Sequence, residues 1–560
     1  MTRSRLADVV VVGLGATAGV AVGPLTQAGL EVVALEAGDW HARTDFVLDE
    51  IENDVRNGLG AAKVNHEIPT WRRDSLEAAA QPWFRALMSN GVGGSAQHSP
   101  AQYFRLLPWH FRERSASLER YGPSALPEGS TVADWPYGYD ELEPYYDRVE
   151  WLLGVSGKAG NLGGRIDAAG NVFEGPRSRE YPLPPLRRTG FTELTAAAAR
   201  ELGWHPFPTA AGIRSQPYAG LPGCTYCGFC AFGMCVADAR GVTSLGPIPA
   251  AIETGRLRLV TSARATRIET GTDGRATGVR YLEGGEARFQ PARAVIVAGY
   301  TYENVRLLLL SGLGNGGGQV GRHFTTHNIV FASALFPGRR LNAMSGGAAQ
   351  GTSVDDWEGD NFDHAGLGFV GGSVMQMCME QKPIALARGT PPSVPRWGAA
   401  WKAWLHEHAG SVGYAILQIE QLTYEDFVLD LDPVVQDREG IPVIRTTLDF
   451  RENERNAFTF LTDRLREWFR AAGATETWFT TPLMPLAVSS HAYGGTRMGE
   501  DPTRSVVDPY GICHDVPNLI VLGASTFPSS GGRNPTLTAQ AVAWRTADHV
   551  VERWERIGGG

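Results

Sequence analysis

The sequence has no run of about 18 or more apolar residues, so it offers no helix able to cross a membrane. Positive charge is in deficit. The formal net charge is −9 at pH 7, which argues against nucleic acid as a partner and favours neutral or cationic substrates through steering. Lysine is scarce and arginine abundant, which reads as a composition bias. No export signal is expected. Arg3 and Arg5 precede an apolar stretch, but glycines at 13, 15 and 19 punctuate it and it leads straight into a second strand-like run, "LEVVALEAGD". A cytoplasmic chain is expected, in which disulfides are disfavoured and clustered cysteines point to metal or redox roles. Cysteine is rare, with six in 560 residues, yet four of them fall within "CTYCGFCAFGMC", residues 224–235.

What is present describes an ordinary soluble globular protein, 43% apolar and 20% charged. A length of 560 residues is too great for one small core and predicts two large or interleaved domains.

"DVVVVGLGATAGVAVGPLTQAGLEVVALEAGD" reads as strand, tight turn, helix, strand. Residues 8–12 form a valine-rich run suited to a strand buried on both faces. Gly13 and Gly15 allow a sharp turn and close approach to a pyrophosphate at the positive end of the following helix. Ala18 holds the third position of the motif, where a small residue permits close helix–strand packing. Glu36 follows Gly13 by 23 residues, at the end of the second strand, where a carboxylate can bind ribose hydroxyls. The motif predicts dinucleotide binding without separating FAD from NAD.

Near the C-terminus, residues 519–523 read as a buried strand, and Asn534 with Pro535 opens a long helix. Asn is a good N-cap and Pro suits the first helical position. Free N–H groups and the positive helix end would then face whatever lies above the strand. Such an end stabilises the N1/C2 carbonyl edge of a reduced flavin.

Four blocks then occur in order: "GLGATAG…ALEAG", "NGVGGSAQHSPAQYFRLLPWHF", "ARAVIVAGYTYENVRLLLLSGLG", and the terminus carrying His491 and Asn534. With these the chain resembles the glucose–methanol–choline (GMC) oxidoreductases over nearly its whole length. The resemblance implies an α/β fold with a Rossmann-like FAD-binding domain of discontinuous segments and a substrate domain built on an antiparallel sheet flanked by helices. The expected division is 1–325 for FAD binding, 326–485 for substrate, and 486–560 as a C-terminal return carrying the catalytic pair. "FVLDLDPVVQDREGIPVIRTTLDF" (427–450) alternates like two strands around a turn, with an amphipathic helical stretch near 452–472, in keeping with that sheet.

By the same resemblance Gly93 and Gly94 bring backbone N–H groups to the flavin, and Asn90 lies on their loop. His98, on that loop too, is either a covalent anchor or, as preferred here, a histidine that lines the cavity. His491 lies in "HAYGGTRMG", which matches the family's catalytic histidine motif, and takes the substrate hydroxyl proton. Asn534, 43 residues later, would hold the substrate oxygen. Gly523 stands where many relatives carry an acidic residue, so Ser525 or backbone would supply that cofactor contact, with Pro535 and Thr536 beside it. His323 and His327 read chiefly as structural or cavity-wall residues. Arg105 either binds pyrophosphate or forms a surface ion pair. The tryptophans of "RWGAAWKAWLHEH" (396–408) fall at helical spacing, as core or interface residues do.

The cysteine spacing, C-x2-C-x2-C-x4-C at Cys224, Cys227, Cys230 and Cys235, approaches but does not match the ferredoxin pattern. It looks like the cysteine block of the sugar- and gluconate-dehydrogenase-like branch, some of whose members pass electrons through an iron–sulfur cluster to a partner. An iron–sulfur cluster, a zinc site and a metal-free knuckle all stay open. Cys378 and Cys513 stand alone and read as buried thiols.

The resulting expectation is FAD-dependent oxidation of a hydroxyl of a sugar, glycoside, aminosugar or related polyol, with electrons passing to O2, a carrier protein or a quinone. A small partner subunit or a homo-oligomer is expected. The rivals are a sterol or aliphatic alcohol oxidase of the same superfamily and a non-catalytic flavin-containing assembly subunit.

Overall fold

A computed structural model of the chain describes residues 5–56, 67, 69–77, 81–82, 88–231, 233–479 and 490–559. The boundary expected at 485/486 falls outside the described residues.

The valine run forms the strand Ala7–Val12, flanked on both sides by parallel neighbours. Val9 to Val12 pair with Val32 to Leu35 on one side, and Val9 to Val12 pair with Ala294 to Val297 on the other. Leu257–Val260 extends the sheet beyond Val32–Leu35, and Leu519–Val521 joins it beside Val295 to Val297. Strands covered on both faces must be apolar throughout, which is why this sheet draws on Val, Ile, Leu and Ala. One covering layer comes from the helices Ala18–Gln27 and Thr536–Glu552, so that Ala18, Val22 and Leu25 share a core with Ala543, Ala547 and Val550. The first half of the long strand Glu286–Val297 leaves the parallel sheet and forms an antiparallel meander with Ala276–Glu283 and Ala263–Thr270.

A second sheet has six strands, all antiparallel, in the order Glu476–Phe479, Asn328–Leu335, Val412–Ile419, Met375–Cys378, Thr352–Val354 and Phe207–Pro208. The helices Gly190–Glu201 and Glu452–Ala471 pack on one face. The apolar stripe of the second helix, Leu461, Leu465, Trp468 and Phe469, meets Val330, Ala332, Leu417 and Ile419, as a 3.6-residue period predicts. The other face presents Ile329, Phe331, Ile416 and Gln418 to a large cavity.

The stretch 427–450 forms the expected hairpin, Val428–Gln436 against Pro442–Thr447, with Gly440 at φ +76° in its turn. Its sheet is a different one. The hairpin pairs with Thr70–Arg72 in a separate four-stranded sheet, locked by Trp71 Nε1 donating to the Leu448 carbonyl at 2.9 Å. Among the described residues no helix is long and apolar enough to span a membrane.

Candidate active site

The cavity is built where three loops converge at the end of the parallel sheet. Gly13 sits at φ +84°, and a Cβ there would come within 2.8 Å of the Ala298 carbonyl oxygen. Its N–H donates to the Leu35 carbonyl at 2.8 Å, tying the turn to the second strand. The loop carrying Gly93 and Gly94 lies directly on this turn. The Gly93 N–H donates to the Leu14 carbonyl at 2.8 Å, and a Cβ on Gly94 would stand 3.0 Å from Gly15 Cα. Glu36 links all three segments. Its Oε2 accepts from the Leu14 N–H at 2.8 Å, and its Oε1 accepts from the N–H groups of Gly38 at 2.9 Å and Gly91 at 3.0 Å. These amides make burial of its charge tolerable and aim the carboxylate at the cavity.

The empty space bounded here comes to about 2230 Å³, the part open to solvent included. Of the residues singled out above, Gly13, Gly15, Glu36, Asn90, Gly94, His98, His491, Asn534, Pro535 and Thr536 line it. Ala18, Gly93 and Ser525 do not. Ala18 is buried in the helix–sheet core, and the tightest approach falls one residue later, where a Cβ on Gly19 would lie 2.5 Å from Thr243. Ser525 is turned inward, where its Oγ accepts from Asn304 Nδ2 at 2.9 Å, and Gly523 and Ala524 form the wall instead.

The C-terminal helix opens onto this space. The Ala539 N–H donates to the Pro535 carbonyl at 2.8 Å, but the helix has no side-chain N-cap. The N-capping expected of Asn534 is therefore overturned. Asn534 Oδ1 is buried with no hydrogen-bond partner among the described residues, and Asn534 Nδ2 lies 3.4 Å from His491 Nε2. The amide faces the cavity because the imidazole competes with the backbone for it.

His491 is held from its other side by His327, their Nδ1 atoms 3.0 Å apart and their rings edge to face. Burial, with His327 adding to it, pushes the His491 imidazole well below the ordinary histidine range, so it is neutral at physiological pH. Burial likewise takes His327 down to about 4, against a hydrogen bond to the Gly531 carbonyl that favours the charged form. Sequence reasoning set His327 among wall residues. It also missed Ile329, Phe331, Ile416 and Gln418, although their alternation along two strands is a period-2 signal.

Other candidates fall elsewhere. Arg105 is fully buried in ion pairs with Glu150 at 2.8 Å and Glu143 at 3.0 Å, which removes it from pyrophosphate binding. His323 bonds Gln319 at 2.8 Å, away from the cavity. Trp404 packs on Trp478, and the Trp401 indole donates to the Ala387 carbonyl at 3.0 Å, so both are structural.

The cysteine block carries the metal expectation. Among the described residues no group of three or more His, Cys, Asp or Glu is placed to hold a metal ion. Cys230 is buried while Cys227 is exposed. Arginine holds the loop instead. Arg240 donates to the carbonyls of Cys230 at 2.6 Å and Gly233 at 3.0 Å, and Arg214 donates to that of Pro222 at 3.3 Å. Cys224 and Cys235 each accept a backbone N–H at 3.3 Å, from Tyr226 and Ala239. Among the described residues the iron–sulfur and zinc readings find no support in the geometry, which leaves the metal-free knuckle as the reading to test. Purified protein is expected to contain no stoichiometric iron or acid-labile sulfide, and Cys227→Ser to leave the visible spectrum unchanged. Stoichiometric iron lost in that variant would overturn the knuckle.

Two family models described as GMC oxidoreductase match residues 130–329 and 429–543. The gluconate 2-dehydrogenase flavoprotein of Pantoea cypripedii is 34% identical over 99% of this chain and 94% of its own length. Paromamine 6'-oxidase of Streptomyces fradiae is 28% identical, with 98% and 92% covered. The crystal structure of pyridoxine 4-oxidase from Mesorbium loti superposes with a TM-score of 0.60 at 17% identity, over 97% of this chain and 99% of that one, which speaks for the fold alone. With two family models matched and a 34%-identical relative aligned end to end, the chain belongs to the GMC oxidoreductases, a family of dehydrogenases and oxidases.

Proposed function

We propose that the protein binds FAD and oxidises a hydroxyl of a sugar, glycoside, aminosugar or related polyol to a carbonyl. The observation that carries this reading is the neutral imidazole of His491 beside the unsatisfied amide of Asn534, in the same cavity as the glycine turn. The residues fit the cofactor. Gly13 and Gly94 bring bare backbone to the cavity, and Glu36 is set to accept from ribose hydroxyls. The C-terminal helix directs uncapped N–H groups at the cavity. Bound FAD would supply the hydride acceptor, at its N5 position.

The chain's own residues supply the rest. His491 Nε2 takes the hydroxyl proton, which a neutral imidazole does at physiological pH. Asn534 Oδ1 needs a donor and Nδ2 offers one, so the amide can grip a hydroxyl and hold the carbon for transfer. Neutral or cationic substrates are favoured by the charge pattern. The arginines that line the cavity, Arg264 and Arg306, are spent on Glu67 and Asp437, and the antiparallel sheet lends the cavity Ile329, Phe331, Ile416 and Gln418. The names of two relatives, a gluconate dehydrogenase and a paromamine oxidase, support a hydroxyl-rich substrate. Electrons then pass to O2, a carrier protein or a quinone. The same three apolar residues favour a second reading, a sterol or aliphatic alcohol.

The test is anaerobic mixing of the holoprotein with glucosides, polyols, aminosugars, alkanols and sterols while flavin absorbance is followed. Bleaching by a carbohydrate within a catalytic turnover time is expected. Bleaching by alkanols or sterols alone would replace the first reading with the second, and none with any alcohol would remove both.

A further inference from the structure

Behind His491 stands a line of hydrogen bonds that the proposed chemistry does not itself require. The His327 Nε2 donates to the Gly531 carbonyl at 2.5 Å. A carbonyl oxygen only accepts, so Nε2 carries the proton of a neutral His327, and Nδ1 carries the lone pair. Tyr493 agrees with this, because its hydroxyl donates to the Arg533 carbonyl at 3.2 Å and its oxygen lies 3.1 Å from the same Nε2–H. His327 Nδ1 can therefore only accept across the 3.0 Å contact with His491, and His491 Nδ1 must be the donor. In a neutral imidazole the other nitrogen is then unprotonated, and that nitrogen is the Nε2 beside Asn534.

The line continues through a peptide. The bond joining Gly531 to Gly532 presents its C=O to His327 and its N–H to Glu358 Oε1, at 2.9 Å. Glu358 also receives His110 Nε2 at 2.7 Å, and His110 Nδ1 accepts from the Leu107 N–H at 2.9 Å, so His110 is a donor to Glu358 by the same logic. Burial pushes the Glu358 carboxyl up, but His110, Arg533 and the Gly532 amide outweigh it and hold it below its usual range. A carboxylate on the N–H side of a peptide shifts density toward its carbonyl oxygen, and successive hydrogen bonds polarise one another. Only glycines fit here. A Cβ on Gly532 would lie 2.4 Å from Glu358 Oε2, and Gly531 sits at φ +68° with a Cβ position 2.7 Å from His110.

We infer that His327 is a positioning residue that fixes His491 in its Nδ1–H tautomer, and that Glu358 supports it through the Gly531 peptide. The inference deepens the reading of His491 as base and rests on it for its kinetic consequence. Once His491 has taken a proton, its Nδ1–H bond to neutral His327 becomes charge-assisted, which stabilises the imidazolium without His327 having to titrate. Of the groups facing His327, Glu358 and Gln418 favour a charge on it, and His110 opposes one.

The test combines nitrogen NMR of histidine-labelled protein, with and without FAD, and the rate of flavin reduction. His491 is expected as the Nδ1–H tautomer in the wild type. His327→Leu is expected to move it to the Nε2–H form and to slow reduction by about 10²-fold with little change in substrate affinity. His327→Asn can offer its amide oxygen where Nδ1 stood, and is expected to recover about tenfold of that loss. It also covers the case in which the leucine variant does not fold. An Nε2–H tautomer in the wild type, or an unchanged tautomer in both variants, would overturn the inference. His491→Asn separates the two ideas. If it leaves reduction unchanged, the base reading falls while the tautomer result stands by itself. If it slows reduction and the His327 variants move no tautomer, only the positioning role falls.

Discussion

His491→Asn is expected to lower the rate of flavin reduction by about 10²–10⁴-fold, the range a positioned general base supplies, with FAD content and folding retained. The effect belongs in kcat more than in KM, because the proton is taken in the transition state while Asn534 and the cavity wall still hold the ground state. Asparagine keeps a polar group near His327 but cannot accept a proton. The pH profile carries a second signature. Burial first, then His327, lowers the affinity of His491 for a proton, so its basic form persists below the ordinary histidine value of about 6.5. Wild-type kcat/KM should therefore stay level as pH falls from about 8 to about 6 and drop only as the depressed value is approached. The variant should lack that limb. A variant that reduces flavin at the wild-type rate would show that another group takes the proton.

The sequence made the nucleotide turn legible because everything it needs is local. A valine strand, two glycines and an acidic residue at the next strand end lie within 29 positions, 8 to 36, and Glu36 accepts from the Leu14 N–H of that turn. Elements whose partners are remote were legible only in part. The 428–447 hairpin was read from its alternation, but its sheet was not, because Thr70–Arg72 lies hundreds of residues away and three residues carry almost no period. Asn534 shows a different limit. A good N-cap residue ahead of a helix predicts capping, and the structure instead turns the amide to His491, a competition that no local pattern records. His327 was underestimated for the same reason, since its significance comes from a carbonyl at Gly531, 204 residues on. Spacing could not decide the cysteine block either, because it reports how close thiols are along the chain, not whether they face one centre.

Gly13→Val is expected to yield a folded protein without flavin. Its added Cβ would meet the Ala298 oxygen at 2.8 Å and Gly299 Cα at 2.9 Å, and both are backbone atoms of the strand end that forms the opposite wall. No flexible side chain can swing away. A β-branched residue at φ +84° adds about 1–2 kcal/mol of backbone strain, and the steric conflict adds about 1–3 kcal/mol more. The cheapest relief is for the turn to move into the space the pyrophosphate would occupy, so the cost falls on binding before it falls on the core of the sheet. Gly29→Ala is the control. Gly29 has nearly the same conformation, φ +91°, in the same strand–helix–strand unit, but nothing lies within 4 Å of its Cβ position. It should lose some thermal stability and keep its flavin. The measurement is the flavin-to-protein absorbance ratio after purification, with circular dichroism to verify the fold. A Gly13→Val protein that kept one flavin per chain would show that the cofactor is not seated on this turn.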